Sequence, residues 1–182
     1  MSAAWPQWAL AEPVPDYLSR EFGLAQAKAE LIASEVQLAA DKYSLPPALL
    51  LAIISIESRF QEKARGTHGA TGLMQVVPSA HRGLLRGVKD LTEPRVNIDK
   101  GSAILHGYVQ AAGGDLKAGL KSYGGSRAYA EKVKLRTKRF ERVVGTGAGA
   151  DDAGTGAVPG VPDEALPGGL SATRAFTVPS AR

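Results

Sequence analysis

Glu57 is the side chain whose position most clearly suggests chemistry. It follows Leu50 and Ile54 at helical spacing, so its carboxyl group lies on an apolar face of a helix. Burial there disfavours the charged form and raises the pKa of the carboxyl group, and the negative end of the helix dipole acts in the same direction. A carboxylic acid that stays protonated near neutral pH suits general acid catalysis. From helical position alone, a buried glutamate paired with Arg59 or Arg65 is the favoured alternative, because acidic residues are rarely buried unpaired.

Other catalytic chemistries find little support in the composition. The chain of 182 residues has no cysteine, which excludes a disulfide framework, a thiolate nucleophile and a cysteine-ligated metal. Its three histidines, His68, His81 and His106, do not have the spacing of a metal-binding motif. We therefore expect neither a metal nor a cofactor.

Four stretches in order resemble the motifs of family 1 lytic transglycosylases, whose catalytic unit is the soluble lytic transglycosylase (SLT) domain. Residues 56–60 read Ile-Glu-Ser-Arg-Phe, and residues 69–78 contain the Gly-Leu-Met-Gln sequence. Residues 97–101, with Asn-Ile and a glycine, and residues 114–123, which run from Gly-Asp-Leu into Ser-Tyr, resemble the later motifs. The similarity covers about residues 40–135.

The resemblance implies an all-α, lysozyme-like fold and a mechanism with one carboxyl group. Glu57 would protonate the glycosidic oxygen between MurNAc and GlcNAc and then accept the proton of the C6 hydroxyl, which forms a 1,6-anhydro sugar. Ordinary glycosidases need a second carboxylate about 5 to 9.5 Å away. The acidic residues that follow Glu57 are expected to be helix caps or surface charges. They are Glu62, Asp90, Glu93 and Asp99.

The resemblance also assigns substrate contacts around the loop. Gln75 is expected to contact the sugar or its N-acetyl group, and the alternative is an amide that bonds its own loop backbone. Gly69 and Gly72 would let the backbone approach the glycan. Met74 would line the groove, with a core position as the alternative. The remaining predicted contacts are Ser58 and Val77, and the predicted supporting residues are Thr67 and Asn97, the latter as a brace for a loop.

Tyr123 matches the family tyrosine that hydrogen-bonds near the acid, although a tyrosine of the core would look the same in sequence. Tyr129 is a weaker candidate for the same cleft. The chain departs from the family at Gly124, where Asn is usual, and at Gly66, where many relatives have Ser and where the adjacent Thr67 would serve instead.

Helical signals run through the whole region of similarity, and no segment has a sustained strand pattern. Pro46 and Pro47 suit the first turn of an apolar, central helix, and Asp115 and Ser126 suit helix N-caps. A glycine-rich loop, from Arg65 to Gly72, precedes a short helix near Pro78. The other predicted helices cover residues 24–43, 94–112, 115–123 and 126–144.

We predict three parts of the chain. Residues 1–15 form a flexible leader, or a signal-peptide remnant if Ala9-Leu10-Ala11 is a cleavage site. Residues 16–144 form the catalytic domain. Residues 145–182, rich in Gly, Pro and Ala, have too few large apolar groups to fold and are expected to be disordered. No apolar run approaches the roughly 20 residues that span a bilayer.

The charge suggests a polyanionic partner without selecting one. Before Gly145 the chain has 20 basic and 14 acidic residues, so peptidoglycan, nucleic acid and acidic membranes are all compatible. The basic run between Lys132 and Arg142 is better interpreted as a solvated helix face, because no nucleic-acid module accompanies it. We expect a monomer that acts on peptidoglycan strands in the periplasm or cell envelope. By analogy with small family members, it would serve a secretion or conjugation apparatus. The alternatives are a peptidoglycan-binding module without activity and a hydrolase resembling goose-type lysozymes.

Overall fold

The computed structural model describes residues 13–145, and this part of the chain is all α-helical, as predicted. Strand-like pairing within these residues is limited to isolated bridges from Thr71 to Arg65 and to Val76. Two short 3-10 turns cover Thr67–Gly69 and Pro78–Ala80. The helices are α1 (Val14–Phe22), α2 (Gln26–Tyr43), α3 (Pro47–Glu57), α4 (Pro94–Ala111), α5 (Leu116–Gly124) and α6 (Arg127–Val144).

Helix α3 forms the centre of the domain, as its apolar sequence predicts. Pro47 occupies its first turn, where the missing N–H costs no hydrogen bond. Every residue from Ala48 to Ser55 is buried, and the helix packs against α2 and α6. The helix ends at Glu57, and the next residues, Ser58 to Phe60, turn the chain away. The carboxyl group of Glu57 therefore lies where the buried helix leaves the core.

Helix α1 was not predicted, and it begins at Val14, inside the range that we expected to be a flexible leader. Its aromatic residues belong to a cluster that joins distant parts of the chain. The ring of Phe22 lies 4.6 Å from that of Phe60, and the ring of Tyr17 lies 5.7 Å from that of Phe140 in α6 (centroid distances). Aromatic packing of this kind stabilises α1 against the domain.

The other helices agree with the sequence analysis to within two residues, because local signals set their ends. Asp115 caps α5 by accepting the N–H of Ala118, and Ser126 caps α6 by accepting the N–H of Tyr129. No helix among residues 13–145 has the length and apolar character to cross a membrane. The predicted tail, except Gly145, and residues 1–12 of the leader lie outside the described residues.

Candidate active site

Glu57 is half-buried and is held by a tyrosine from α6. The hydroxyl of Tyr129 donates a hydrogen bond of 2.5 Å to Oε1 of Glu57. Burial raises the pKa of Glu57, while the hydrogen bond from Tyr129 and the charge of Lys132 act against that rise. The pKa of Glu57 is therefore raised, as its position on the helix predicts. The carboxyl group is thus a candidate acid at the end of a rigid helix.

The cation pair considered as an alternative is not formed within residues 13–145. Arg65 instead donates to Oγ1 of Thr71 at 2.7 Å, and Arg59 is exposed. No ion pair of Glu57 exists in the described part of the chain. Its carboxyl group is therefore free to exchange a proton with a bound molecule.

Two neighbours of Tyr129 determine where its ring lies. Ser126 fixes the backbone as the N-cap of α6, accepting the N–H of Tyr129 at 3.1 Å. Gly124 provides the space, since a Cβ atom at this position would lie 2.1 Å from both Cγ and Cδ1 of Tyr129. Gly124, one of the two positions at which the chain departs from the motifs it resembles, therefore leaves the space that the ring of Tyr129 occupies.

The structure corrects the role predicted for Tyr123. Its hydroxyl donates to the carbonyl oxygen of Met74 at 2.8 Å, and the contact with Glu57 is made by Tyr129 instead. The two tyrosine rings stack with their centroids 6.5 Å apart. Tyr123 thus steadies the loop that faces Glu57, while Tyr129 holds the acid.

Tyr129→Phe tests the role of this hydroxyl. Its hydrogen bond favours the charged carboxylate, so its loss raises the pKa of Glu57 further and moves the alkaline limb of the pH–rate profile to higher pH. Because a hydrogen bond to a charged group is worth roughly 1.5–3 kcal/mol, we expect the rate of glycan cleavage to fall by about ten- to a hundredfold. Tyr123→Phe is the control, and an equal shift of its alkaline limb would contradict the assignment.

Asn97 braces the loop before Gln75, as predicted. It is fully buried, and its Oδ1 accepts the N–H of Met74 at 2.7 Å. Its Nδ2 donates to the carbonyl oxygens of Thr71 and Leu91 at 2.8 and 2.7 Å. One amide therefore binds three backbone groups, and two of them, the N–H of Met74 and the carbonyl oxygen of Leu91, have no other hydrogen bond within residues 13–145.

Gly72 has a packing role that the sequence analysis did not foresee. The residue is buried with φ of 79°, and a Cβ atom would lie 2.3 Å from Nδ2 of Asn97 and 2.5 Å from the carbonyl oxygen of Leu91. A side chain at position 72 is excluded by Asn97 and by the carbonyl oxygen of Leu91. Gly72 therefore permits the loop to fold, whereas Gly69 is exposed with open space around it.

Asn97→Ala will destabilise the fold. It leaves the N–H of Met74 and the carbonyl oxygen of Leu91 without a partner, while the carbonyl oxygen of Thr71 still accepts the N–H of Val76. A buried unsatisfied group costs about 1–3 kcal/mol. We expect the free energy of unfolding in urea to fall by at least that amount. Gln110→Ala, at an exposed position of α4, is the control. A loss below about 0.5 kcal/mol, typical of surface substitutions, would show that the brace is dispensable.

Two other predicted contacts, Met74 and Ser58, are buried, and the predicted supporting residue Thr67 is exposed. Met74 is fully buried, with Sδ so close to Gly101 that a Cβ atom there would lie 2.6 Å away, so its side chain belongs to the core and does not line an open groove. Ser58 is buried, and its hydroxyl donates to the carbonyl oxygen of Ile54 at 3.2 Å, which caps α3. Thr67 is exposed in the first 3-10 turn.

Gln75 makes the loop hydrogen bonds of the second of its two predicted alternatives. Its Nε2 donates to the carbonyl oxygens of Gly72 at 3.0 Å and Ala64 at 3.3 Å, which fixes the amide against the loop. Its Oε1 accepts no hydrogen bond from residues 13–145, and the residue is half-buried. The oxygen is available as an acceptor, and Val77, two residues further on, is also half-buried.

Two residues near Glu57 that the sequence analysis did not place in the site are Lys132 and Gly124. Lys132 comes three residues after Tyr129, and this spacing puts both side chains on one side of α6. The spacing could therefore have predicted that Lys132 lies near Tyr129. A separate pocket of about 580 Å³ lies between α2 and the start of α4. None of the predicted site residues lines this pocket, which is bordered by charged residues such as Glu35 and Arg95.

Comparison with known proteins assigns the family. The model of the transglycosylase SLT domain matches residues 34–143, which is more than half of the chain. An inactive mutant of the lytic transglycosylase Slt from Pseudomonas aeruginosa is 24% identical, over 60% of this chain and 21% of that chain, with a TM-score of 0.47. The 70-kDa soluble lytic transglycosylase from Escherichia coli is 21% identical, over 68% and 20%, with a TM-score of 0.49.

A complex of the 70-kDa soluble lytic transglycosylase with bulgecin A is 20% identical, over 72% of this chain and 22% of that chain, with a TM-score of 0.50. The chain thus spans about a fifth of the length of these solved proteins. At 20% identity, the likeness to the bulgecin A complex concerns the fold alone. On the strength of the match over residues 34–143, the chain belongs to the transglycosylase SLT domain family.

Proposed function

We propose that this chain is a peptidoglycan lytic transglycosylase that cleaves the β-1,4 bond between MurNAc and GlcNAc. The observation that carries the proposal is the state of Glu57. It is a half-buried carboxyl group of raised pKa, bound by Tyr129 and not paired with a cation in the described part of the chain. Membership of the SLT domain family supports the same activity.

The proposed reaction uses Glu57 twice. The protonated carboxyl group donates its proton to the glycosidic oxygen while the bond from that oxygen to C1 of MurNAc breaks. The resulting carboxylate then accepts the proton of the C6 hydroxyl while O6 forms a bond to C1, which gives 1,6-anhydroMurNAc and restores the acid. Water takes no part, and no proton is gained or lost overall.

Tyr129 supports both steps by remaining bound to one carboxyl oxygen. Because Oε1 accepts the tyrosine hydroxyl, the proton that is transferred resides on Oε2. The same hydrogen bond stabilises the carboxylate between the two steps, since hydrogen bonds to charged groups are stronger than those to neutral ones. Tyr129 therefore lowers the cost of the intermediate anion and keeps the reactive oxygen aimed in one direction.

The surroundings of Glu57 favour this reaction over ordinary hydrolysis. Hydrolytic glycosidases use a second carboxylate, but no acidic group contributes to the pKa of Glu57. Glu62 pairs with Lys28 at 3.1 Å, and Asp99 pairs with Lys42 at 2.6 Å. A mechanism that recruits the C6 hydroxyl of the substrate needs only the one carboxyl group.

Substrate and setting follow from the same proposal. Oε1 of Gln75 would accept the N–H of an N-acetyl group, because the amide is fixed and this atom is unused within residues 13–145. The polymer is peptidoglycan, so the chain would act as a monomer in the periplasm or cell envelope. A secretion or conjugation apparatus is the proposed partner, by analogy with small wall-opening domains.

Purified sacculi test the proposal. We expect the wild-type chain to release soluble muropeptides from sacculi. The Glu57→Gln variant should bind sacculi in a sedimentation assay but release no muropeptides. Binding by both proteins with no release at any pH would instead favour a peptidoglycan-binding module without activity. Failure of both proteins to bind or cleave sacculi would contradict the proposed substrate.

A further inference from the structure

A four-residue turn follows the end of α3 directly and redirects the chain beside Glu57. It is closed by a hydrogen bond of 3.0 Å from the N–H of Gln61 to the carbonyl oxygen of Ser58. Ser58 also ties the turn to α3, since its N–H and its hydroxyl both donate to the carbonyl oxygen of Ile54, at 3.1 and 3.2 Å. A shift of this turn therefore moves the last turn of the helix, which carries Glu57.

The two central residues of the turn have an unfavourable backbone conformation. Arg59 and Phe60 both have positive φ, of 49° and 62°. Turns with two such central residues are dominated by glycine, asparagine and aspartate, because a Cβ atom makes the left-handed region costly for most other residues. The sequence has none of these residue types at the two positions. Such a conformation persists only where surrounding contacts enforce it.

The ring of Phe60 makes the contacts that enforce the turn. Phe60 is 1% exposed, whereas Arg59 is exposed to solvent. The ring centroid of Phe22 in α1 lies 4.6 Å from that of Phe60, edge to face, and the centroid of Phe140 in α6 lies 6.4 Å from it. Such aromatic pairs add to the free energy gained by burial. Helix α1 precedes residues 34–143, so Phe22 lies outside the stretch that matches the family model.

We propose that Phe22 is a positioning residue for Glu57. By packing on Phe60 it holds the left-handed turn after α3 in place. The turn fixes the end of the helix, so that the carboxyl group of Glu57 meets the hydroxyl of Tyr129. The consequence for cleavage rests on the proposed function, in which Glu57 is the acid and base. The hydrogen bond between Glu57 and Tyr129 can be examined without that function.

The effect of Tyr129→Phe on the pKa of Glu57 measures this hydrogen bond directly. The carboxyl group is titrated by NMR in folded protein. With Phe22 present, Tyr129→Phe raises the pKa of Glu57, because the lost hydrogen bond favoured the carboxylate. In the Phe22→Leu background the hydroxyl no longer meets the carboxyl group, so we expect the same substitution to raise the pKa by less than about half as much. A role of Phe22 in stability alone would leave the two rises equal.

Tyr17→Leu is the matched control for Phe22→Leu, because it removes another ring of α1. The ring centroid of Tyr17 lies 5.7 Å from that of Phe140 and 6.5 Å from that of Phe22. Within residues 13–145 this ring forms no pair with Phe60. Its loss should lower the unfolding midpoint while Tyr129→Phe still raises the pKa of Glu57 by the full amount.

Relief of the backbone cost provides a sharper test. Glycine adopts positive φ readily, so Arg59→Gly should hold the turn without the ring of Phe22 and restore the full rise in the Phe22→Leu protein. Arg59→Ala removes the same guanidinium group but keeps a Cβ atom, and it should restore nothing. Ser44→Gly makes the corresponding change at another left-handed residue, with φ of 51° at the end of α2, and it should not restore the rise either.

Cleavage of sacculi provides a second readout. Displacement of a catalytic group by about 1 Å costs on the order of 10²-fold. Because Phe22→Leu loosens the turn and leaves the rest of the site intact, we expect kcat to fall by a smaller factor, about tenfold, with KM nearly unchanged. Adding Arg59→Gly should recover most of that loss.

The outcomes separate the inference from the proposed function. Equal rises in the pKa of Glu57 with and without Phe22, or no rise in either background, overturn the positioning role. Equal restoration by Arg59→Ala and Arg59→Gly overturns it as well. A wild-type protein that binds sacculi without cleaving them contradicts the proposed function, and the titration still decides the role of Phe22.

Discussion

Glu57→Gln lowers the rate of glycan cleavage by about 10³- to 10⁴-fold in this account. General acid–base catalysis contributes roughly 10²- to 10⁴-fold, and Glu57 is assigned both the acid and the base step. An amide can neither donate the required proton nor accept one from the C6 hydroxyl. Since the proposed mechanism has no second carboxyl group to replace it, we expect the upper part of that range.

The control for this substitution is Glu62→Gln. Glu62 is also partly buried, but its carboxylate pairs with Lys28 at 3.1 Å, so its loss should leave the cleavage rate within about twofold. Rates are measured as muropeptide release from sacculi at several pH values. A rate for Glu57→Gln within tenfold of wild type would contradict the catalytic assignment.

Glu57→Gln should lower the cleavage rate without lowering the free energy of unfolding. The folded-state pKa of Glu57 is raised, so the folded protein binds more protons than the unfolded chain between the ordinary carboxyl pKa and the raised one. The wild-type free energy of unfolding therefore falls as pH rises through that window. Glu57→Gln lacks this penalty, and we expect it to be at least as stable as wild type above the window. Reduced activity would then not reflect unfolding.

Gly124→Ala should reduce kcat/KM by about a hundredfold. The new Cβ atom would lie 2.1 Å from two ring atoms of Tyr129, so the ring must move and its hydroxyl loses Oε1 of Glu57. Displacement of a catalytic group by about 1 Å costs on the order of 10²-fold. The pKa of Glu57 should also rise, because the hydrogen bond that lowers it is lost, so the alkaline limb of the profile moves to higher pH.

Gly107→Ala is the matched control for Gly124→Ala. Gly107 also lies within a helix, but nothing is within 4 Å of the Cβ position, so the substitution should leave the kinetics unchanged. If Gly124 acts through Tyr129, the double variant Gly124→Ala/Tyr129→Phe should lose little more than the worse single variant. Additive losses, or kinetics equal to those of Gly107→Ala, would show that the glycine has no positioning role.

Local signals explain what the sequence could predict. The start of a helix is set by a few neighbouring residues. The predicted helix-start residues Pro47, Asp115 and Ser126 all occupy the predicted positions. The apolar run of α3 identifies the buried helix, and its last residue is Glu57. Helix α1 was missed although it has local signals, since Pro13 precedes it and Gly23 ends it in a left-handed conformation. The sequence does not reveal the packing of Tyr17 and Phe22 against rings far along the chain.

The errors at the site have one physical cause. Motif order indicates that Tyr123 and Met74 lie near the acid, but only tertiary packing decides which atom points toward it. In the structure the side chain of Met74 turns into the core and its carbonyl oxygen accepts Tyr123, so Tyr129 is left to reach Glu57. From the sequence, Gly124 indicates only the loss of a side chain. In the structure, the missing side chain leaves the space that the ring of Tyr129 occupies.

The fate of water during cleavage tests the central claim most directly. Sacculi are digested in water enriched in heavy oxygen, and the masses of the released muropeptides are determined. If Glu57 is the single acid and base and the C6 hydroxyl is the nucleophile, the products are 1,6-anhydro sugars without heavy oxygen and one water lighter than hydrolysis products. Products that carry one heavy oxygen at the new reducing end would contradict the account and show a hydrolase.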